Sequence, residues 1–141
     1  MDIRRLSPRY AVSPQIDVTD VPTIAAEGFG TIICNRPDAE IFPPQQIAAM
    51  QQAAQAAGLT FVINEVTHHG LNQGMVDIQR AAIDADNAPT FAYCASGTRS
   101  TIVWALGQAT DVPSAELIGA AAEHGYDISG LRAELDRRFN A

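Results

Sequence analysis

The sequence predicts an α/β fold, with a central, mostly parallel sheet of four to five strands and helices on both faces. Short apolar runs alternate along the chain with helical patterns of roughly 10–15 residues. Strands joined in this way need right-handed crossovers, which place helices over both faces of a parallel sheet. Because the chain has 141 residues and no repeat or linker, residues 1–141 are expected to form a single domain.

The first half of the chain is expected to contribute two strands and two helices. Apolar runs at residues 10–12 and 31–34 predict the first and second strands. Between them, a threonine or an aspartate can cap a short helix over residues 20–26, which a glycine then ends. Two prolines open an Ala- and Gln-rich pattern over residues 45–57, and this pattern predicts the longest helix.

The second half repeats the alternation and ends in helices. Residues 60–63 predict the third strand, and Asn72 is suited to cap a helix over residues 73–85. The apolar run 89–93 predicts the fourth strand, with a helix over residues 100–108 after it. Two further helices are predicted, over residues 114–123 with Ser114 as the cap, and from Asp127 or Ser129 to about Phe139.

Composition excludes several classes of function. The formal charge is -7, and all nine basic residues are arginines, so nucleic acid and anionic membrane are not expected partners. The absence of lysine excludes a Schiff-base lysine and a Walker-type phosphate lysine within this chain. No apolar run could span a bilayer, and no signal peptide is visible, so a cytoplasmic location is expected.

The two cysteines, Cys34 and Cys94, lie far apart in the sequence, and neither belongs to a Cys-x-x-Cys pattern. The three histidines do not stand at zinc-site spacing from them, so no metal and no cofactor is expected. Cys34 lies inside an apolar run and is interpreted as a core residue. A role as a resolving thiol for Cys94 remains the alternative.

The loop after the fourth predicted strand carries the strongest chemical signal. It begins with Cys94, ends with Arg99 and leads directly into a helix. The backbone N–H groups of such a loop can surround an anion, and an arginine can clamp that anion with two hydrogen bonds. The same positive environment favours the thiolate form of Cys94, which is the nucleophile. The predicted anion-binding residues are Ala95, Ser96, Gly97, Thr98, Arg99 and Ser100.

A strand followed by Cys-x-x-Gly-x-Arg-Ser and a helix is similar to the active-site loops of cysteine-based phosphatases and rhodaneses. Three stretches, residues 33–38, 57–67 and 94–106, more narrowly resemble the phosphatase-like domain family of beta-lactamase hydrolase-like proteins. That resemblance implies a dual-specificity-phosphatase-like fold in which Cys94 is the nucleophile and Arg99 binds the anion.

Two departures from the phosphatase pattern concern the chemistry. Only four residues separate Cys94 from Arg99, one fewer than such phosphatases usually have, and this spacing is closer to that of rhodaneses. The loop after the third strand, where the family layout suggests a general acid, has no aspartate but contains His68 and His69. Asp38 is the second candidate acid, although an Asx turn or an ion pair would explain it equally well.

Three functions remain open from the sequence. The first is a thiolate-dependent phosphatase that forms a cysteinyl-phosphate on Cys94. The second is a sulfurtransferase that carries a persulfide on the same residue, and the third is a catalytically silent anion-binding module. Each implies a small anionic ligand, either a phosphoester or a sulfane-sulfur donor. Ser100 is predicted either to hydrogen-bond the thiolate or to cap the helix. The small residues of the 45–57 helix leave a homo-oligomer open.

Overall fold

A five-stranded sheet forms the centre of the computed structural model, which describes residues 1–67 and 70–141. The strands are β1 (Arg4–Ser7), β2 (Tyr10–Ser13), β3 (Thr31–Cys34), β4 (Thr60–Ile63) and β5 (Thr90–Tyr93). Their order across the sheet is β1-β2-β5-β3-β4, in which β2, β5, β3 and β4 run parallel and β1 is antiparallel to β2. The predicted mostly parallel sheet is therefore confirmed.

Strand β1 is the element that the sequence pattern did not reveal. Its residues read Arg-Arg-Leu-Ser, and only Leu6 among them is buried. An edge strand with a single buried side chain lacks the apolar alternation that marks a strand in a sequence. It pairs with β2 through a tight connection, which explains why it runs against the other strands.

In the part of the chain that the structure describes, six α-helices cover the sheet: α1 (Val21–Ala26), α2 (Ile47–Ala56), α3 (Gln73–Asp84), α4 (Thr98–Gln108), α5 (Ser114–Glu123) and α6 (Arg132–Phe139). Alternate side chains of the central strands enter two separate cores. Ile33 and Ala92 face the core formed with α3 to α6, whereas Ile32 and Phe91 face the core formed with α1 and α2. The prediction of helices on both faces is confirmed. None of the helices described is long and apolar enough to cross a membrane.

Several helix boundaries differ from those predicted. The Asn72 cap is confirmed, because its side-chain oxygen accepts a hydrogen bond from the Met75 N–H at 3.0 Å. Ser114 is the first residue of α5 rather than its cap, a place that Pro113 takes. Helix α4 begins two residues earlier than predicted, at Thr98, so Arg99 and Ser100 belong to its first turn.

Candidate active site

The Cys94 side chain lies directly beyond the carboxyl end of β5 and is fully buried. Its sulfur accepts a hydrogen bond of 3.1 Å from the Gly97 N–H, so the loop curls around the sulfur atom. Ala95, Ser96 and Thr98 are exposed, in contrast to Cys94. The site therefore has a buried nucleophile under an open rim of small residues.

Gly97 is required by two features of the loop. Its φ of +100° lies in the left-handed region that side chains disfavour. A Cβ at this position would also overlap the hydroxyl of Tyr126 and lie 2.8 Å from its Cζ. Tyr126 in turn donates a hydrogen bond of 2.8 Å to the Ser96 carbonyl, so its ring supports the loop from the far end of the sequence.

We expect Gly97→Ala to lower the free energy of unfolding by about 1–3 kcal/mol and to slow whatever reaction Cys94 performs, because the loop must shift away from Tyr126. Gly58→Ala is the matched control, since Gly58 has a φ of +79° but open space around it. Urea unfolding of both variants separates the two effects. Equal losses of stability would show that contact with Tyr126 contributes nothing.

Arg99 is 9% exposed, and its side chain lies among hydrogen-bond acceptors from other loops. Its guanidinium donates to both carboxylate oxygens of Glu40, at 3.0 and 2.8 Å, and to the Val66 carbonyl at 2.7 Å. Burial opposes the charged form, but hydrogen bonding to Glu40 and the charge of Cys94 hold the pKa of Arg99 above its ordinary value. Arg99 is thus a fixed cation beside the nucleophile.

Glu40 is a site residue that the sequence reasoning missed. Hydrogen bonds from Arg99 hold the pKa of its carboxyl below the ordinary value, against the opposing effect of burial. Arg36 lies on the other side, with its Nε 3.4 Å from the carboxylate. Glu40 is therefore an anion at neutral pH. In the sequence, Glu40 is indicated as a site residue only by its position four residues after Arg36, in the loop that also holds Asp38.

Gln15, from the loop after β2, joins Arg36 to the cysteine loop. Its side-chain oxygen accepts a hydrogen bond of 3.2 Å from the Arg36 guanidinium, and its backbone N–H donates to the Ala95 carbonyl at 3.3 Å. Loops after β2, β3 and β5 therefore meet at the carboxyl edge of the sheet, where ligands bind in folds of this kind.

A buried polar network lies beneath the cysteine loop and includes Ser100. The Ser100 hydroxyl donates to the side-chain oxygen of Asn35 at 2.9 Å, so in this structure it neither caps α4 nor bonds the sulfur. Gln79 of α3 accepts hydrogen bonds from the side-chain amides of Asn35 and Asn64, at 2.9 and 2.8 Å. It also donates to the hydroxyl of Tyr10, which donates to the Ser100 carbonyl. These bonds fix the carboxyl ends of β3 and β4 against the first turn of α4.

The remaining predicted residues lie in different surroundings. One carboxylate oxygen of Asp38 accepts the Ile47 N–H at 2.8 Å, a bond that holds the start of α2. Cys34 is buried, and its thiol donates to the Arg36 carbonyl at 3.2 Å. Burial raises the pKa of that thiol, which suits a core residue. Both thiols are free.

His68 and His69, the first candidates for the general acid, lie outside the described residues. Within residues 1–67 and 70–141, no cluster of three or more His, Cys, Asp or Glu side chains could hold a metal ion. The described site thus combines a buried thiol, a loop amide that faces it and a fixed guanidinium. Such a set can bind an anion and attack it.

Comparison with known proteins gives relatives that cover nearly the whole chain. A beta-lactamase hydrolase-like protein of Agrobacterium fabrum is 28% identical over 97% of this chain. The chain spans only about a third (32%) of that relative's length. A crystal structure from Neisseria meningitidis, of a protein named "putative phosphatase", is 34% identical, with a TM-score of 0.83 and coverage of 98% of this chain and 99% of that one.

The kinase associated phosphatase, crystallised with its catalytic-site cysteine replaced by serine, is 11% identical. It superposes with a TM-score of 0.72 over 94% of this chain and 88% of its own, and this likeness shows the fold alone. The dual-specificity-phosphatase-like fold is confirmed. Residues 2–111 match the family described as "Beta-lactamase hydrolase-like protein, phosphatase-like domain". The chain belongs to that phosphatase-like domain family, whose fold is related to the cysteine-based phosphatases.

Proposed function

We propose that this protein is a thiolate-dependent phosphatase that forms a cysteinyl-phosphate on Cys94. The observation that carries the proposal is the pairing of a buried sulfur, which faces the Gly97 N–H, with the fixed guanidinium of Arg99. A phosphoryl group bound in the loop would have its phosphorus near the sulfur and its oxygens near N–H donors. That geometry suits attack by a thiolate.

In the first step the Cys94 thiolate attacks phosphorus, and the bond from phosphorus to the leaving oxygen breaks. Arg99 and the loop amides stabilise the charge on the equatorial oxygens. The leaving oxygen takes a proton from a general acid. In the second step the same group takes a proton from water as the water attacks phosphorus, the sulfur–phosphorus bond breaks, and inorganic phosphate and the thiolate are released.

The charge state of Glu40 reduces the number of candidates for the general acid. Glu40 is an anion held between two arginines, so it has no proton to give at neutral pH. We propose His68 or His69 as the donor, with Asp38 as the alternative. One oxygen of Asp38 is already bonded to the Ile47 N–H. An aryl phosphate reduces the need for an acid, because a phenolate leaves more easily than an alkoxide.

The ligand class that we propose is a small anionic phosphoester. Only four residues lie between Cys94 and Arg99, so the loop offers fewer converging amides to a tetrahedral phosphoryl group than a loop with one more residue would. Ser96 and Thr98 hydroxyls at the exposed rim add polar groups at the entrance. We also propose a cytoplasmic location, because a free catalytic thiol persists in a reducing compartment.

The proposal is supported by the matching family, which is described as phosphatase-like, and by the solved relative named "putative phosphatase"; neither description favours sulfur transfer. One experiment tests the proposal against the alternatives: purified protein is incubated with an aryl phosphate, and separately with thiosulfate and a thiol acceptor. We expect release of the phenol, with no persulfide of the thiol acceptor and no sulfite. Sulfur transfer without phosphate release would overturn the proposal. Binding of inorganic phosphate without either reaction would identify an anion-binding module.

A further inference from the structure

The guanidinium of Arg99 uses one part of its N–H donors to bond neighbouring protein groups and leaves another part directed elsewhere. An arginine side chain has five N–H donors, and three of those of Arg99 bond to Glu40 and Val66. Both Glu40 bonds use the edge formed by Nη1 and Nη2, and the remaining Nη1 hydrogen is directed to the Val66 carbonyl. The Nε–H and the second Nη2–H bond to neither Glu40 nor Val66, and the Arg99 side chain also hydrogen-bonds Cys94. The Nε–H and this Nη2–H are parallel and form one complete fork.

We propose that Glu40 is a positioning residue, which holds one edge of Arg99 so that the Nε–Nη2 edge is fixed for the oxygens of the bound anion. This inference rests on the proposed anion site and names the residue that orients its cation. Without Glu40, the arginine would have to lose side-chain freedom each time an anion bound. A fork that is already fixed reduces this entropic cost.

The backbone that carries Glu40 is itself fixed. The Glu40 N–H bonds the Pro37 carbonyl at 3.0 Å within a single 3-10 turn. The Asp38 carboxylate accepts the Ile47 N–H at 2.8 Å, and the Gln46 side chain donates to the Asp38 carbonyl at 3.3 Å. The turn is therefore fastened to the start of α2. This explains why Asp38 accompanies Glu40 in one short stretch of sequence.

Charge alone predicts the opposite role for Glu40. A carboxylate beside an anion site repels the incoming anion, so its removal would tighten binding. The positioning role predicts that removal weakens binding, because Arg99 becomes free to move. The sign of the change in affinity therefore decides between the two roles.

The test is calorimetric titration of wild type, Glu40→Gln, Glu40→Asp and Glu40→Ala with inorganic phosphate, in the full chain at neutral pH. We expect Glu40→Gln and Glu40→Ala to weaken phosphate binding by roughly 3- to 30-fold, the cost of ordering the Arg99 side chain when the anion binds. Glu40→Asp should lose less, because it keeps a carboxylate. Glu27→Gln is the matched control, since Glu27 pairs at 3.6 Å with Arg5 on the surface and is expected to bind phosphate as wild type does.

A second arm shows whether Glu40 acts through Arg99. In an Arg99→Met background, Glu40→Gln should not weaken phosphate binding further, because the group that it positions is gone. An equal loss in both backgrounds, or unchanged or tighter binding in Glu40→Gln, would overturn the inference. If wild type binds phosphate but the Glu40 variants bind it equally well, the positioning role is wrong and the proposed function stands. Failure of wild type to bind phosphate would overturn both.

Discussion

Cys94→Ser is expected to slow aryl phosphate hydrolysis by about a thousandfold or more while leaving the chain folded. A serine hydroxyl is almost wholly protonated at neutral pH, so the variant lacks the anionic nucleophile that the mechanism requires. The replacement is close in size, and the Gly97 N–H that now faces the sulfur at 3.1 Å can bond the oxygen instead. Steady-state release of the phenol measures the loss, and urea unfolding confirms the fold.

The matched control is Cys34→Ala, which also removes one buried thiol from the carboxyl end of a neighbouring strand. Burial raises the pKa of Cys34, so it is not expected to act as a nucleophile. The control should lose stability through the small cavity it leaves but keep its activity per folded molecule. If Cys34→Ala were inactive and Cys94→Ser active, the assignment of the nucleophile would be wrong.

Gln79→Leu is expected to have the largest effect on stability, lowering the free energy of unfolding by about 3 kcal/mol or more. Leucine is of similar size but cannot bond the side-chain amides of Asn35 and Asn64 or the hydroxyl of Tyr10. Those groups would remain buried without their partner, at about 1–3 kcal/mol each where no other bond replaces it. Urea or thermal unfolding measures the change.

Gln73→Leu on the same helix provides the comparison. Gln73 is exposed, and among the described residues its side chain donates only to Asp77, at 2.9 Å, so its replacement should change stability by no more than about 0.5 kcal/mol. Folded Gln79→Leu protein should also turn over more slowly, because the network ties β3 and β4 to the first turn of α4. A Gln79→Leu variant as stable as Gln73→Leu would show that the network contributes little.

The alternation of strands and helices was readable from the sequence for physical reasons. Four short apolar runs alternate with helical patterns, and this arrangement is specific to a parallel sheet. Cys94 and Arg99 stand out because a strand, a short loop and a helix place a thiol and a guanidinium at the two ends of one loop. Strand β1 was missed because three of its four residues are not buried.

The supporting residues were much harder to predict. Tyr126 reaches the loop from 30 residues downstream, and no local pattern relates it to Ser96. Gln79 was hidden in an amphipathic helix, where a glutamine is normally exposed. Asp38 drew attention as a candidate acid, whereas Glu40, two residues later, is the side chain that contacts Arg99. Contacts between distant loops depend on the register of the sheet, which sequence patterns do not specify.

Mass spectrometry of acid-quenched protein during turnover of an aryl phosphate tests the central claim most directly. We predict that a fraction of the chain gains the mass of one phosphoryl group, and that the modified peptide contains Cys94. The same peptide from Cys94→Ser should gain nothing. A gain of sulfur on Cys94, or turnover by wild type with no adduct on that peptide under rapid quench, would contradict the account.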